Sequence, residues 1–358
     1  MKHSIIRKMS LVLAVITALS SCMILFSGCG NKNEYRDFDY FVMDTYVTIR
    51  LATDGENGKL SDEYLREVAD GCAAILTELD GILSSHNEAS QVYALNSGIS
   101  MMLQADPTLI SVIQAADTVT KLTGGAYDYA IGTLTELWNV TGGGPVPSSS
   151  DINYAAIHSG ADKFKISGST IVKQDKMAKI DLGGIGKGYA AQEILEYLET
   201  TDVKYGIISL GGNVGVYGEK PKNETYKIGI RDPRSADKVI GYMYLTSGFV
   251  SVSGDYERFF EEDGVRYHHI IDKSTGYPAA SGITSVAVHT TNGASADALS
   301  TALFVMGVEK SLELYNSGEI KFEAVFVTTD GRVITTPGLD SKAFQLTSAS
   351  YKLEEAGK

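Results

Sequence analysis

Three observations predict an α+β fold for this chain. Helical and strand periodicities are intermingled without a regular βαβ beat. From Lys163 onward the pattern turns to short strands, and two helix-like segments interrupt them. About 310 residues follow the N-terminal tether without a low-complexity break or an internal repeat, which is enough for one large unit or two lobes.

The elements follow in order. Lys2, Arg7 and Lys8 precede 18 mostly apolar residues from Met9 to Phe26, and then Ser27-Gly28-Cys29. That layout is an export signal over 1–28, ending at a cysteine whose thiol takes a lipid. Leu19-Ser20-Ser21-Cys22 fits the position three before the cysteine better, since Phe26 stands where bacterial lipoproteins usually carry Leu. Cleavage there would leave Met-Ile-Leu-Phe at the new N-terminus, so Cys29 is the expected lipidation site. Read as uncleaved, the apolar run nearly spans a bilayer. Both readings hold the remaining chain outside the cytoplasm at the cell membrane, with 29–36 as a polar tether and 37–350 as the folded unit.

Phe41, Met43, Val47, Ile49 and Leu51 alternate with more polar residues and predict a strand. Leu65, Val68, Cys72, Leu76, Leu79 and Leu83 recur at helical spacing behind a Ser61 cap. Asp106-Pro107 opens a second helix that stops at Gly124-Gly125. Gly142 to Ser150, rich in Gly, Pro and Ser, reads as a loop. Short strands are expected at 164–166, 171–172, 178–182, 204–210, 225–231, 239–246, 248–253, 266–271 and 283–289, with helices at about 187–200 and 295–306. Asp330-Gly331 marks a final hairpin between Ala324-Thr328 and Val333-Thr335.

Composition narrows the function. The formal charge is −13, and losing the leader's three cations makes it more negative still. This argues against nucleic acid as a partner, because phosphate neutralisation needs clustered Lys and Arg. A small anionic ligand held by a metal or by helix N-termini remains compatible. Cys72, on the apolar stripe of a predicted helix, reads as a buried hydrophobe, so there is no disulfide framework.

Three constellations carry chemistry. Asp181-Leu182-Gly183-Gly184-Ile185-Gly186-Lys187-Gly188-Tyr189 opens a helix, so its backbone amides can face a ligand. It matches neither a Walker A loop nor the GxGxxG spacing, and a tight turn alone would also account for it. Asp297 and Thr301 fall four apart on one helical face, offering hard oxygen ligands suited to Mg²⁺. The same spacing also fits a helix-start Asp beside a solvent-facing Thr. His268-His269-Ile270-Ile271-Asp272 places a histidine at a strand end, where it serves either as general base or as a structural group.

Taken together and in order, these runs resemble the ApbE family of FAD:protein FMN transferases. The matching segments are Met43-Asp44-Thr45, where the family usually has Met-Gly-Thr, Ser84 to Ser90 with Asn96, and Gly125-Ala126-Tyr127-Asp128 with Leu134 and Trp138. They continue with the Asp181 to Tyr189 loop, Ser209 to Asn213, Ser253 to Tyr256, His269 to Asp272, and Asp297 to Leu303. The resemblance implies a T-fold-like architecture of mixed sheets with flanking helices. It implies Mg²⁺ held by Asp297, Thr301 and the Gly186 carbonyl, and FAD lined by Met43, His86, Ala126, Tyr127, Asp128, Gly183, Lys187, Tyr189 and Ile271. His269 matches the family's active histidine. His86 stands where many relatives have a flavin-stacking Tyr, and Asp44 replaces a glycine near the phosphates.

The activity so implied is transfer of FMN from FAD to a Thr of another exported protein, an electron-transfer subunit at the same membrane, with release of AMP. The acceptor motif of the family, resembling Asp-x-x-Ser/Thr-Gly-Ala-Thr, is absent from this chain, so self-modification is not expected. An FAD pyrophosphatase or a flavin-binding lipoprotein fits the same residues. A transporter's solute-binding lipoprotein fits less well, because it needs two Rossmann-like lobes and a hinge.

Overall fold

The computed structural model describes residues 34–55 and 58–356, so the export signal and both candidate lipidation sites, Cys22 and Cys29, lie outside the described residues. The chain's first described element differs from expectation. Instead of one strand after a tether, residues 35–52 form a hairpin of β1 (Tyr35–Val42) and β2 (Thr45–Ala52). Tyr35 and Arg36 join the strand because Tyr35 packs edge-on against Tyr205 and Arg36 Nε donates to Asp62. The reversal falls on Met43-Asp44, both with φ 54. Positive φ at both loop residues suits the twist of a hairpin. Asp tolerates that conformation, which accounts for Asp44 in a place where glycine is usual. Met43 holds it at a cost in backbone strain.

Nine strands form the main sheet among the described residues, and their spatial order is their chain order. After β1 and β2 come β3 (Gly206–Leu210), β4 (Asn213–Tyr217), β5 (Gly248–Gly254), β6 (Ile283–Thr290), β7 (Glu323–Thr328), β8 (Arg332–Thr335) and β9 (Lys352–Glu355). Every neighbouring pair is antiparallel except the last, β8 with β9. β4, short and interrupted by Gly215, left no usable periodicity, and β9 lies past residue 350.

The sheet is buried on both faces, and side-chain alternation sorts the residues. Val47, Ile49, Leu51, Ile208, Val286, Val288 and Phe326 face the helices. Ile207, Val214, Val216, Ala287, Val325 and Val327 face a second, three-stranded sheet made of Tyr226–Asp232, Ser235–Leu245 and Phe344–Leu346. On the helical side lie α1 (Asp62–Leu83), α2 (Pro107–Leu122), α3 (Gly186–Leu198) and α4 (Gly293–Ser317). Their starts are where the caps predict: Ser61 Oγ accepts from Tyr64 N, and Asp106 Oδ1 from Thr108 N ahead of Pro107. Each fully buried Leu of α1 contributes roughly 1.5–3 kcal/mol. No helix among the described residues is long and apolar enough to cross a membrane.

Three expectations need correction. α4 does not end at 306; it breaks at Gly307 (φ 79, ψ 172) and resumes, with Ser281 Oγ taking up the Phe304 carbonyl and Ser311 Oγ the Gly307 carbonyl. The strand expected at 266–271 splits into Val265–His268 and Ile271–Asp272, because the His269 amide turns away to donate to the Arg258 carbonyl at 3.1 Å. The Gly142 to Ser150 loop ends early, since Ser148 caps a helix over Ser149–Ile157. That helix and Gly132–Trp138 build a satellite core of Leu134, Trp138, Ile152, Phe260 and Ile271.

Strand register sets the position of the site. Val47 pairs with Leu210, Leu210 with Asn213, and Asn213 with Ser251. The Met43-Asp44 turn, the Gly211-Gly212 turn and the end of β5 therefore share one end of the sheet, where α3 and α4 begin.

Candidate active site

The glycine loop is reached by an extended segment, but 178–182 belongs to no sheet. Side chains do the work of a ladder there. Asn96 Nδ2 donates to the Ile180 carbonyl at 2.7 Å and its Oδ1 accepts the Ile180 amide at 2.8 Å. Asp181 N donates to Tyr129 O at 2.8 Å, and the Asp181 carboxylate accepts from Gly183 N and from Thr135 Oγ1. The chain then winds directly into α3. Gly188 and Gly293 meet where α3 and α4 cross: a Cβ on Gly188 would stand 2.1 Å from Gly293 O, and one on Gly293 2.3 Å from Gly188 O. Only a residue without Cβ permits that approach.

The crossing places the Gly188 amide on Asp297. Asp297 is buried on α4; its Oδ2 accepts from Gly188 N at 2.9 Å, and its Oδ1 from Asn213 Nδ2 and Ser251 Oγ, both at 3.2 Å. Among the described residues no Lys, Arg or His nitrogen comes within 4 Å of this carboxylate. Burying a carboxylate with dipoles alone is costly unless a cation completes its surroundings. Ser300, one turn on, links to Ser253 at 2.8 Å, and Ser253 reaches Thr301 Oγ1 at 3.5 Å.

Thr301 is overlaid by the loop, for a Cβ on Gly184 would stand 3.2 Å both from Thr301 Oγ1 and from the Tyr127 ring. The Tyr127 hydroxyl is buried with no hydrogen-bond partner among the described residues. Burial and the charges of Asp297, Asp181 and Asp128 hold it well above the usual phenol range, so it is a neutral donor.

These residues fit Mg²⁺. The donors are hard oxygens, the carboxylate keeps lone-pair capacity beyond its three hydrogen bonds, and an orphaned hydroxyl stands nearby. Among the described residues no cluster of three or more His, Cys, Asp or Glu could cage a metal. The arrangement therefore suits an ion that keeps waters and substrate phosphates in its shell.

The remaining sequence candidates separate into groups. Met43 joins the site, its Cε lying 3.9 Å from where a Gly186 Cβ would be. Lys187 donates to the Gly183 carbonyl at 2.9 Å and spans the exposed side of the loop. His86 is exposed, just beyond α1. Ala126 is half-buried after α2. Asp128 is buried and fully engaged, accepting from Ala130 N, Ala161 N and Lys273 Nζ, the last at 2.6 Å; its carboxylate fixes the backbone of this segment. Ile271 sends its side chain into the satellite core. Tyr189 points elsewhere, with its phenol bonded to Glu193 one turn along α3.

The two histidines are distinguished by their bonds. His268 is buried, with Nε2 on the Ala279 carbonyl at 3.0 Å and Nδ1 accepting from Ile270 N at 3.3 Å, so both nitrogens are used. His269 is half-exposed, and its Nδ1 lies 3.3 Å from the Arg258 carbonyl. A carbonyl accepts only, so Nδ1 carries the proton and Nε2 keeps a free lone pair. Burial, then the Arg258 and His268 charges, push this imidazole down to about 3. It is neutral at physiological pH.

Sequence reading missed Glu257 and Arg258. Both follow the Ser253-Gly254-Asp255-Tyr256 run, and an acid–base doublet just beyond a polar turn was the available signal. Asn213 and Ser253 lie inside quoted motifs but were given no role there.

With the geometry in place, comparison with known proteins is informative. The model of the ApbE family matches residues 43–326. The FAD:protein FMN transferase of Treponema pallidum (strain Nichols) is 29% identical over 346 residues, covering 91% of this chain and 94% of its own length. That of Klebsiella pneumoniae (strain 342) is 32% identical over 266 residues, covering 73% and 82%. The crystal structure of the ApbE protein from Thermotoga maritima superposes with a TM-score of 0.78 at 33% identity, covering 86% of this chain and 99% of that one. The mixed sheets, the flanking helices and the family match agree, and this chain belongs to the ApbE family.

Proposed function

We propose that the protein is an Mg²⁺-dependent FAD:protein FMN transferase, which attaches FMN through a phosphoester to a Thr of an exported acceptor and releases AMP. The observation that carries this reading is Asp297, a buried carboxylate cradled by neutral donors, beside Thr301 and beneath the glycine loop. The transferase activity for which the relatives are named supports it.

Held by Asp297, Thr301 and the Gly186 carbonyl, Mg²⁺ would offset charge on the FAD diphosphate and ease departure of AMP. The chain's own residues do the rest. With the Gly183, Ile185, Gly186 and Gly188 amides already bonded within the fold, the Gly184 amide and the Lys187 ammonium are left to orient the diphosphate. Tyr127 donates its buried hydroxyl into the same space. Met43 and His86 flank the flavin end. His269, fixed by the Arg258 carbonyl, presents Nε2 to the attacking hydroxyl and draws on its proton.

The N-terminal leader and Cys29 support a lipid-anchored protein on the extracytoplasmic face of the cell membrane, with a membrane electron-transfer subunit as acceptor. The test is incubation of the full-length protein in detergent with FAD and Mg²⁺, with and without an acceptor bearing the Thr motif, read by intact mass. Gain of one FMN mass on the acceptor, with AMP released, is the expected result. FMN and AMP with the acceptor unmodified would make the protein a pyrophosphatase. Intact FAD throughout would sink the enzymatic reading.

A further inference from the structure

Where the acceptor's proton goes is a separate question from which group first meets it. His269 is flanked by the charges of Arg258 and Lys187, and its imidazole, pushed down to about 3, cannot retain a proton at neutral pH. Among the described residues, Glu257 is a titratable group that shares two of its neighbouring cations, Lys187 and Arg258, with His269.

Glu257 follows the end of β5, at the same sheet end as the Met43-Asp44 and Gly211-Gly212 turns. Its Oε1 lies over the Gly211-Gly212 turn, 3.3 Å from where a Gly212 Cβ would stand, an approach that a bulkier residue would obstruct. Among the described residues the carboxylate makes no hydrogen bond or ion pair, although Lys187 from α3, Arg231 from the strand Tyr226–Asp232, and its neighbour Arg258 all act on it electrostatically, with Asp297 from α4 opposing them. An unpaired carboxylate amid three cations has no evident structural duty.

Burial also differs among the three groups. Asp297 is buried, His269 half-buried and Glu257 exposed. On the transferase reading, FAD held at Asp297 would occupy the buried side, which leaves an incoming protein's hydroxyl to approach from solvent, where Glu257 stands.

We propose, on the transferase reading above, that Glu257 is the terminal proton acceptor of the reaction, receiving the acceptor hydroxyl's proton by way of His269 or a bridging water. The hydroxyl's O–H bond breaks as its oxygen bonds to the FMN phosphorus, the bond from that phosphorus to the AMP oxygen breaks, AMP leaves with the electron pair, and the proton rests on the Glu257 carboxylate. The surrounding protein mass holds this carboxyl above its ordinary 4.5. Because water reaches the open cleft, that rise is smaller than in a sealed site. It moves the group toward working pH, where a proton acceptor is most effective.

The experiment compares wild type, Glu257→Gln and Glu257→Asp as full-length protein with FAD, Mg²⁺ and the Thr-bearing acceptor. It reads FAD binding by flavin fluorescence, acceptor modification by mass, and kcat/KM against pH. Glu257→Gln should bind FAD within about threefold of wild type and transfer FMN roughly 10²-fold more slowly. Its profile should lose the acid limb that wild type shows above the ordinary carboxylate range, and Glu257→Asp should recover part of the rate. A Gln variant with a wild-type rate and acid limb would overturn the proposal, and so would loss of FAD binding that accounts for the whole rate loss. If wild type itself leaves acceptor and FAD intact, the transferase reading falls and the proposal with it; if wild type transfers, the variants bear on Glu257 alone.

Discussion

Asp297 is buried among donors that carry no net charge, the Gly188 amide, Asn213 and Ser251, whereas His269 stands half-exposed between the cations Arg258 and Lys187. Both face the start of α3, Asp297 through the Gly188 amide and His269 through the Lys187 charge, yet one is short of positive charge and the other has a surplus of it. A carboxylate without a counter-ion attracts a metal, and an imidazole among cations stays neutral and keeps its lone pair. On the proposed function, the contrast divides the site into a metal-seeking half and a proton-handling half, set up by α4 and by the turn after Val265–His268.

The largest effect expected from breaking this division is at Asp297. Asp297→Ala should lower turnover by roughly 10³-fold or more, about 4 kcal/mol, by removing the carboxylate proposed as metal ligand. Mg²⁺ titration of activity checks it, and a variant with unaltered Mg²⁺ dependence would remove Asp297 from the metal site. His269→Ala should slow transfer by about 10²-fold while FAD binding persists. If equilibrium binding disappears as well, His269 is a ligand contact and the two halves are not separable.

Smaller effects sharpen the same contrast through the scaffold. Gly188→Ala puts a methyl group 2.1 Å from the Gly293 carbonyl and 2.6 Å from Asp297 Cβ, forcing α3 and α4 apart. The expected loss is about 1–3 kcal/mol of stability in denaturant unfolding, with weakened Mg²⁺ binding. A variant as stable as wild type would show that the two helices can separate at little cost.

The smallest effect is a pH dependence. The folded His269 sits at about 3 against 6.5 for the ordinary group, so below 6.5 the unfolded chain binds a proton that the native state refuses. Its contribution to stability is complete above 6.5 and is lost as pH falls toward 3. Wild type should therefore lose more stability between pH 7 and pH 4 than His269→Gln; parallel curves would mean that neither burial nor the neighbouring cations act on this ring.

The metal-seeking half was more legible in the sequence than the proton-handling half, for a physical reason. Asp297 and Thr301 share a helix face because helical spacing is fixed, so position in the chain gives position in space. The caps Ser61 and Asp106 were legible on the same grounds, since a cap acts on amides two or three residues away. Glu257 and Arg258 gain their roles from Lys187 and His269, which are distant in the chain and irregular in spacing. The hairpin at Met43-Asp44 hid because its alternation runs straight through a turn whose second residue is Asp, not Gly. Residues 178–182 read as a strand because Ala178, Ile180 and Leu182 alternate with the charged Lys179 and Asp181; that their backbone is held by Asn96, rather than by a neighbouring strand, is a long-range fact.

The break at Gly307 has a consequence for how the molecule tolerates disturbance. A continuous helix of 25 residues would transmit a tilt or a frayed end along its whole length to Asp297. With φ 79 and ψ 172 at Gly307, and the Phe304 carbonyl closed off by Ser281, the segment carrying Asp297 and Thr301 ends within the protein core, and the segment after it begins a new run of turns tied back through Ser311 Oγ to the Leu303 and Gly307 carbonyls. A tilt or frayed end beyond Gly307 is then taken up at that break before it reaches Asp297 and Thr301, so the two sections of α4 answer to different neighbours: Leu314 and Tyr315 to the core, Asp297 and Thr301 to the glycine loop.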